Sequence, residues 1–413
     1  MSTATPKLVR VERPPAMPEV AIVGGGVCGL ALAHSLQARQ VDWALFEARD
    51  RLGGRVLTQA SQRGLALDLG PSWFWPDTQP SMARLVEDLD LAWVDQPDDG
   101  RVLWLDDPHG APRVMAVDGM GRAVEGGPAR PGALHGGARR LSGGMRGLVD
   151  ALASPLPAAR LHRGWALQRV LDGGDHVALH LQGAGGSGDT RLVQARRVVL
   201  ALPPRVADAT VDFQPGLPRP VVDALRATPT WMATAAKAAV AYGRPFWRDI
   251  GHTGNACVVH PQAVLAEVFD VGPVLGPSPA QGVAGAALGG FLALGVASRR
   301  AMKASLPMLI DSQLGMLFGP DASDGELHLQ DWADERWTCS PMDLADAARA
   351  GAHPVYGHAG LTEPLWGGRL LFGGSETAAR GGGYLEGALN AAARLRRQLT
   401  APLPAPGLGT SAH

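Results

Sequence analysis

The chain has 413 residues, 46% of them apolar, and a formal net charge of −1 from 38 basic and 39 acidic side chains. That length and apolar content support two domains around a sizeable core and exclude a disordered chain. The near-zero charge supplies no attraction for nucleic acid or an acidic membrane. Cys28, Cys257 and Cys339 are far apart and odd in number, so neither a disulfide framework nor a zinc site is expected.

The opening MSTATPKLVRVERPPAMP has no apolar stretch of the kind that makes a signal peptide, and a cytoplasmic protein is expected. Residues 19–23 then read as a short buried strand, Gly24, Gly25 and Gly26 as a tight turn, and Val27 to Gln40 as a helix with an apolar face. VDWALFEA gives a second strand ending near Glu47, completing a βαβ unit. LSGGMRGLVDALA, 141–153, reads as a loop entering a helix. WALQRVL, HVALHLQG and RRVVLALPP read as strands, with the Gly-rich GAGGSGD as a hairpin tip. His176 and His180 fall in this strand-like stretch and read as surface residues rather than metal ligands. GVAGAALGGFLALGVA, 282–297, is too short and Gly-rich to span a membrane and reads as a buried strand leading into a helix. GRLLFGG is a strand near the end, and GGYLEGALNAAARLRRQL runs into a helix.

Gly24-x-Gly26-x-x-Gly29 lies between a strand and a helix, the setting of a dinucleotide fingerprint. Gly24 permits the turn, Gly26 lets the backbone approach a pyrophosphate, and Gly29 allows close helix–strand packing. Glu47 follows Gly29 by 18 residues, close to the spacing of a carboxylate that holds ribose hydroxyls. Gly53, Gly54 and Arg55 then add a second flexible turn and a guanidinium for phosphate. A nicotinamide dehydrogenase has no need of that second element; an extended FAD does.

AIVGGGVCGLALAHSL, FEARDRLGGRV, DLGPSWFW, LSGGMRGLVDAL, RRVVLALPP, AAKAAVAYGRPFWRD and LLFGGSETAARGGGYLEGAL occur in an order that resembles the flavin-containing amine oxidase family. The resemblance covers about a quarter of the chain and is spread over nearly its whole length. It implies an α/β protein of α+β two-domain build: a Rossmann-like FAD-binding domain with an inserted substrate domain of mixed sheet and helices. The FAD-binding domain would comprise 18–75, 135–213 and 360–400, the substrate domain 76–134 and 214–359, and the flexible termini 1–17 and 401–413.

The resemblance also assigns roles by position. Gly24, Gly26 and Gly29 meet the pyrophosphate; Glu47 binds the adenosine ribose and Arg49 flanks it. Gly54 and Arg55 reach the phosphates, while Gly70, Ser72 and Trp73 line the isoalloxazine. Leu167 lends backbone bonds to adenine, Gly374 and Glu376 bind toward the ribityl chain, and the Leu385 N–H reaches the flavin's pyrimidine oxygen. Tyr384 is the first ring of a substrate cage, and the place of the second falls on Met342, with Trp337 as an alternative wall. The place of a flavin-linking cysteine falls on Pro341, so FAD is expected to be non-covalent.

Lys237 matches a strand-borne lysine of the family, either catalytic or a domain-interface cation, and no lysine lies between it and Lys303. The expected activity is oxidation of a small-molecule amine by hydride transfer to flavin N5, giving an imine and then a carbonyl, with O₂ as acceptor and H₂O₂ as product. A related dehydrogenase or desaturase acting on a non-amine substrate is the alternative. No nucleic-acid, membrane or metal partner is expected, and a homodimer is possible on family grounds.

Overall fold

In the computed structural model, residues 17–98, 100–117, 123–124, 135–186, 188–272, 285–349 and 353–400 are described. The expected flexible termini fall, Met17 apart, outside the described residues. Five short strands form a parallel sheet in the order Leu161–Arg163, Trp43–Glu47, Val20–Val23, Arg197–Leu200 and Leu370–Phe372. Val20–Val23 is buried throughout, as is Arg197–Leu200, and both, Arg197 apart, are apolar runs rather than alternating ones. Such runs suit strands of a parallel sheet covered on both faces. One cover is the helix Val27–Ala38, with Leu30, Ala33 and Leu36 packed in the same core as Leu389, Ala392 and Leu395 of the C-terminal helix Leu385–Thr400. On the other side Val170, Leu179 and Leu181, from the hairpin strands Trp165–Asp172 and Val177–Gly183, meet Ala21, Val198 and Leu200.

The remaining large element is an eight-stranded sheet in the order Glu326–Asp331, Ala236–Tyr242, Ala286–Leu292, Leu265–Asp270, His252–Val258, Arg101–Leu105, Arg113–Val117, Ala123–Val124. Its pairings are antiparallel except that of His252–Val258 with Arg101–Leu105. The expected α/β architecture, with a Rossmann-like part and a mixed second sheet, is present. Two helices in the segments assigned to the substrate domain pack against the parallel sheet's cores instead: Pro80–Asp88 through Met82 and Val86, and Arg219–Ala227 through Val221, Ala224 and Leu225.

Alternation along Ala236–Tyr242 decides what the second sheet shows to the rest of the molecule. Ala238, Val240 and Tyr242 face a core that includes Ile310, Leu314 and Leu317 of the helix Leu306–Phe318. Ala239 and Ala241 point the other way, to Leu65, Leu67 and Leu69 beside Trp73. Side chains alternate across a strand, so Lys237 is on this second face, toward the parallel sheet. Among the described residues no helix is long and apolar enough to cross a membrane.

Candidate functional site

A cleft of about 410 Å³ begins at the C-terminal ends of the parallel strands, the place where open α/β sheets bind their ligands. Its floor is two stacked glycine turns. Gly24 has φ of +107°, and a Cβ there would lie 2.4 Å from the Ala201 carbonyl oxygen. Gly53 N–H donates to the Gly25 carbonyl at 2.8 Å, seating the second turn on the first. Gly26 precedes the helix Val27–Ala38, and no side chain caps that end. The only atom near a Cβ at Gly26 would be the Gly54 Cα at 3.9 Å. Gly29 has a different duty: its Cβ would be 2.0 Å from the Gly24 carbonyl oxygen. It serves helix–strand packing and does not line the cleft, contrary to its expected pyrophosphate contact.

Glu47 ends its strand buried at the cleft edge, where Oε2 accepts from Gly25 N at 2.7 Å and Oε1 from Arg49 N at 2.9 Å. These bonds fix the carboxylate while leaving lone pairs for a diol. Arg49 carries the connection onward, donating to Glu335 and, at 2.9 Å, to Thr338 Oγ1. The Glu335–Thr338 segment is thereby drawn to the Glu47 end, near Trp165 and Leu167. Trp337 goes with it, its backbone N–H donating to Glu335 Oε1 at 3.3 Å, and it lines the cleft. Met342, expected as the second cage position, is 37% exposed on the short helix Pro341–Ala345 and does not line the cleft. The capping box of Ser340 and Asp343 directs that helix, with Asp343 held by Arg205 at 3.0 Å. The Cys339 thiol is buried toward the Ser340 carbonyl and does not line the cleft either.

In the middle of the cleft Arg55 makes a forked ion pair with Glu376, at 2.6 and 3.0 Å, and donates to Ser375 Oγ at 2.9 Å. Glu376 is fully buried. Burial alone would raise its pKa, but the Arg55 charge and hydrogen bonds outweigh it and hold the carboxyl below the ordinary value. Leu385 starts the C-terminal helix on the cleft wall.

The far end is aromatic. Lys237 Nζ, 2% exposed as a residue, donates to the Gly70 carbonyl at 2.9 Å and to Ser72 Oγ at 2.6 Å. It lies 5.4–5.5 Å from the ring centres of Trp73, Phe269 and Phe291. Burial lowers its pKa to about 8 despite Asp68 and Glu267 nearby. Trp73 is fixed from behind by a stacked His135 at 4.4 Å and by its own N–H bond to Gln96 at 2.8 Å. Tyr384 has the Trp231 ring centre 6.2 Å away, tilted by 53°, and His353 stacked parallel at 4.9 Å. Gly383, φ +81°, lets this happen: a Cβ there would be 2.9 Å from Trp231.

The structure thus brings Gly24, Gly26, Glu47, Arg49, Gly54, Arg55, Gly70, Ser72, Trp73, Leu167, Lys237, Trp337, Gly374, Glu376, Tyr384 and Leu385 onto one cleft. Trp75, Trp231, Met232 and Phe291 also line it and were missed by sequence reasoning. The abundance of tryptophan, 11 residues against 3 tyrosines, was the available signal. The cleft suits FAD on two counts. An uncapped helix end beside an open glycine cradle fits a diphosphate, and the buried Glu47 carboxylate fits ribose hydroxyls.

Comparison with known proteins agrees. A profile of the family described as flavin containing amine oxidoreductase matches residues 129–395, and one for an NAD(P)-binding Rossmann-like domain matches 22–89. A protein of Mycobacterium tuberculosis named as a flavin-containing monoamine oxidase, AofH, is 26% identical, the match covering 95% of this chain and 99% of that one. Bovine (Bos taurus) flavin-containing amine oxidase B is 24% identical over 92% of this chain and 86% of its own. A putrescine oxidase double mutant shares the fold at a TM-score of 0.71 and 21% identity, covering 94% of this chain and 99% of its own. With the glycine turns, Glu47 and the family match in agreement, the chain belongs to the flavin-containing amine oxidoreductases and is an FAD-dependent enzyme.

Proposed function

We propose that the protein oxidises an amine at the carbon next to nitrogen. A hydride leaves that carbon, the resulting imine is hydrolysed to a carbonyl compound and a freed amine, and O₂ is reduced to H₂O₂. Bound FAD supplies the two-electron acceptor for the hydride and passes the electrons on to O₂. The observation that carries this reading is the continuity of the cleft from Glu47 and the glycine turns to an end walled by Trp73, Trp231, Phe291, Tyr384 and Lys237.

The side chains have separable tasks in this reading. Glu47 and the helix end at Gly26 hold the ribose and the diphosphate. Arg55 and Glu376 neutralise one another and order the middle of the cleft. Hydride loss needs the free nitrogen lone pair, so the amine must bind without its extra proton. Burial and the Lys237 cation both disfavour an ammonium and lower the bound amine's pKa. Tyr384 and Trp231 then orient the Cα–H bond between flat walls, which is the positional part of catalysis. The start of the helix Leu385–Thr400 presents N–H groups where negative charge develops.

The test is anaerobic mixing of the holoenzyme with a panel of primary, secondary and polyamines and amino acids, followed by flavin absorbance. Bleaching by an amine, with H₂O₂ formed when air is readmitted, is the expected result. A flavin that dithionite reduces but no amine does would overturn the reading. Bleaching without reoxidation in air would favour a dehydrogenase with another acceptor.

A further inference from the structure

Behind Trp73 is a charged cluster that the reaction itself does not use. His135 is 5% exposed and lies between two acids. Its Nε2 is 2.7 Å from Glu267 Oε1, and its Nδ1 is 3.9 Å from Asp98 Oδ1, too far for a hydrogen bond. Among the described residues Nδ1 has no hydrogen-bond partner. Asp98 is itself fixed, its Oδ1 accepting from Asn255 Nδ2 at 2.6 Å. A neutral imidazole carries one N–H, so with that proton directed to Glu267 a bare Nδ1 lone pair would face a carboxylate oxygen. The imidazolium carries an N–H on each nitrogen and meets an acid with both.

The imidazole stacks on Trp73, ring centres 4.4 Å apart and planes 29° from parallel. The Phe269 edge packs against both rings, at 4.6 Å from Trp73 and 5.6 Å from His135. The indole N–H bond to Gln96, which donates in turn to the Asp270 carbonyl, ties one point of Trp73 to the eight-stranded sheet. A ring can pivot about a single bond, so its plane is set by what stacks on it. We propose that His135 is a positioning residue for substrate binding: clamped between Glu267 and Asp98, it holds the plane of Trp73 and so the shape of the cleft's aromatic end. The inference rests on the amine-oxidising reading above, which makes that end the substrate's place. His135 does not line the cleft and acts through Trp73, which does.

Charge strengthens the clamp. A cation is attracted to an aromatic face, and the imidazolium alone pairs with both acids. Burial by itself would lower the pKa of His135, but Asp98 and Glu267 outweigh it and hold it above the ordinary 6.5. More than half of His135 is therefore protonated at pH 6.5, and the clamp slackens as pH rises through its pKa. Among the described residues Asp98 and Glu267 are the charged groups that act on the imidazole. Lys237 Nζ is 5.4 Å from the Trp73 ring centre, and Cys257, the cross-strand partner of Glu267, has its thiol pushed up by burial to about 11 and stays neutral.

The experiment measures kcat and KM of the wild-type holoenzyme, His135→Phe and Asp98→Asn across neutral and alkaline pH, with whichever of butylamine, hexylamine and benzylamine bleaches the flavin fastest. His135→Phe keeps a ring against Trp73 but has neither charge nor N–H. Its KM should exceed that of wild type about five- to tenfold near pH 6.5, with kcat within about twofold. The ratio of the two KM values should then fall as pH rises and wild type loses its proton. That ratio cancels the ionisation of the amine and of Lys237, which both proteins share. Asp98→Asn removes one acid and leaves the stacked ring, so its own KM ratio to His135→Phe should fall at lower pH than that of wild type. A role in packing alone gives ratios that do not change with pH or with Asp98→Asn, and that result overturns the proposal. If His135→Phe takes up no flavin, wild type and Asp98→Asn decide between themselves. Their KM values should part only between the two midpoints, and a ratio flat across pH overturns the proposal. A wild-type flavin that none of the amines bleaches is instead the failure of the amine reading itself.

Discussion

At the Glu47 end the cleft is made mostly of backbone: Gly24, Gly26 and Gly54 turn the chain, and Glu47 is held by two main-chain N–H groups. At the Tyr384 end it is made of side chains drawn from segments near residues 73, 231, 237, 291 and 384. The first end repeats a shape that every FAD shares, so its geometry tolerates little change. The second is assembled from rings that the eight-stranded sheet and the loops deliver. Stability is therefore expected to depend most on the buried ion pair in the middle, flavin affinity on Gly26 and Glu47, and selectivity on the aromatic end.

The sharpest way to break that division is Arg55→Met. It leaves the fully buried Glu376 carboxylate without its counter-charge, and loss of one partner of a buried pair costs about 3–5 kcal/mol. A urea midpoint shifted by less than the equivalent of about 1 kcal/mol would show that Ser375 Oγ and the Trp231 N–H, its other partners, hold the carboxylate without Arg55. Glu47→Ala removes the acceptor of two backbone bonds. Hydrogen bonds to a charged group are worth about 1.5–3 kcal/mol, so flavin affinity should fall at least tenfold, and full flavin occupancy after purification would refute the ribose role. Gly26→Ala separates binding from folding. Its Cβ meets no atom closer than 3.9 Å, so stability should change by less than about 0.5 kcal/mol while flavin titration shows much weaker uptake.

The smallest effect is a slope. Lys237 has a folded pKa of about 8 against 10.5 for the unconstrained side chain. Below about pH 8 both folded and unfolded chains carry the proton and the cost of burial is fully present. Between pH 8 and 10.5 the unfolded state binds more protons, so wild type should gain stability relative to Lys237→Met at up to about 1.4 kcal/mol per pH unit. Parallel stability curves for the two proteins across that window would mean that Lys237 keeps its proton when buried.

The same contrast explains what could be read in the sequence. Gly24, Gly26, Glu47, Gly54 and Arg55 were legible because a tight turn, a close approach and a buried carboxylate each demand one residue type at one spacing. The strands and helices around them were legible from apolar runs bounded by glycine. Trp231, Phe291 and His135 were not, because nothing local marks a ring as facing a cleft rather than a core. That depends on the register of Lys237 with Phe291 and on the loop that sets Trp73 against His135. Of the two candidates for the second wall, Trp337 lines the cleft and Met342 does not, since the Ser340 cap directs the short helix Pro341–Ala345 elsewhere.

The order of the parallel sheet also has a consequence for synthesis. Val20–Val23 is its central strand, yet its partner Arg197–Leu200 comes some 170 residues later and Leu370–Phe372 later still. At about 5–20 residues per second a ribosome needs roughly 10–35 s to deliver the first of these partners. During that wait the strand has an open edge, the feature most prone to wrong pairing. Glu376 and Leu385 follow the strand Leu370–Phe372, so the middle of the cleft is completed only after every strand of the parallel sheet has been made.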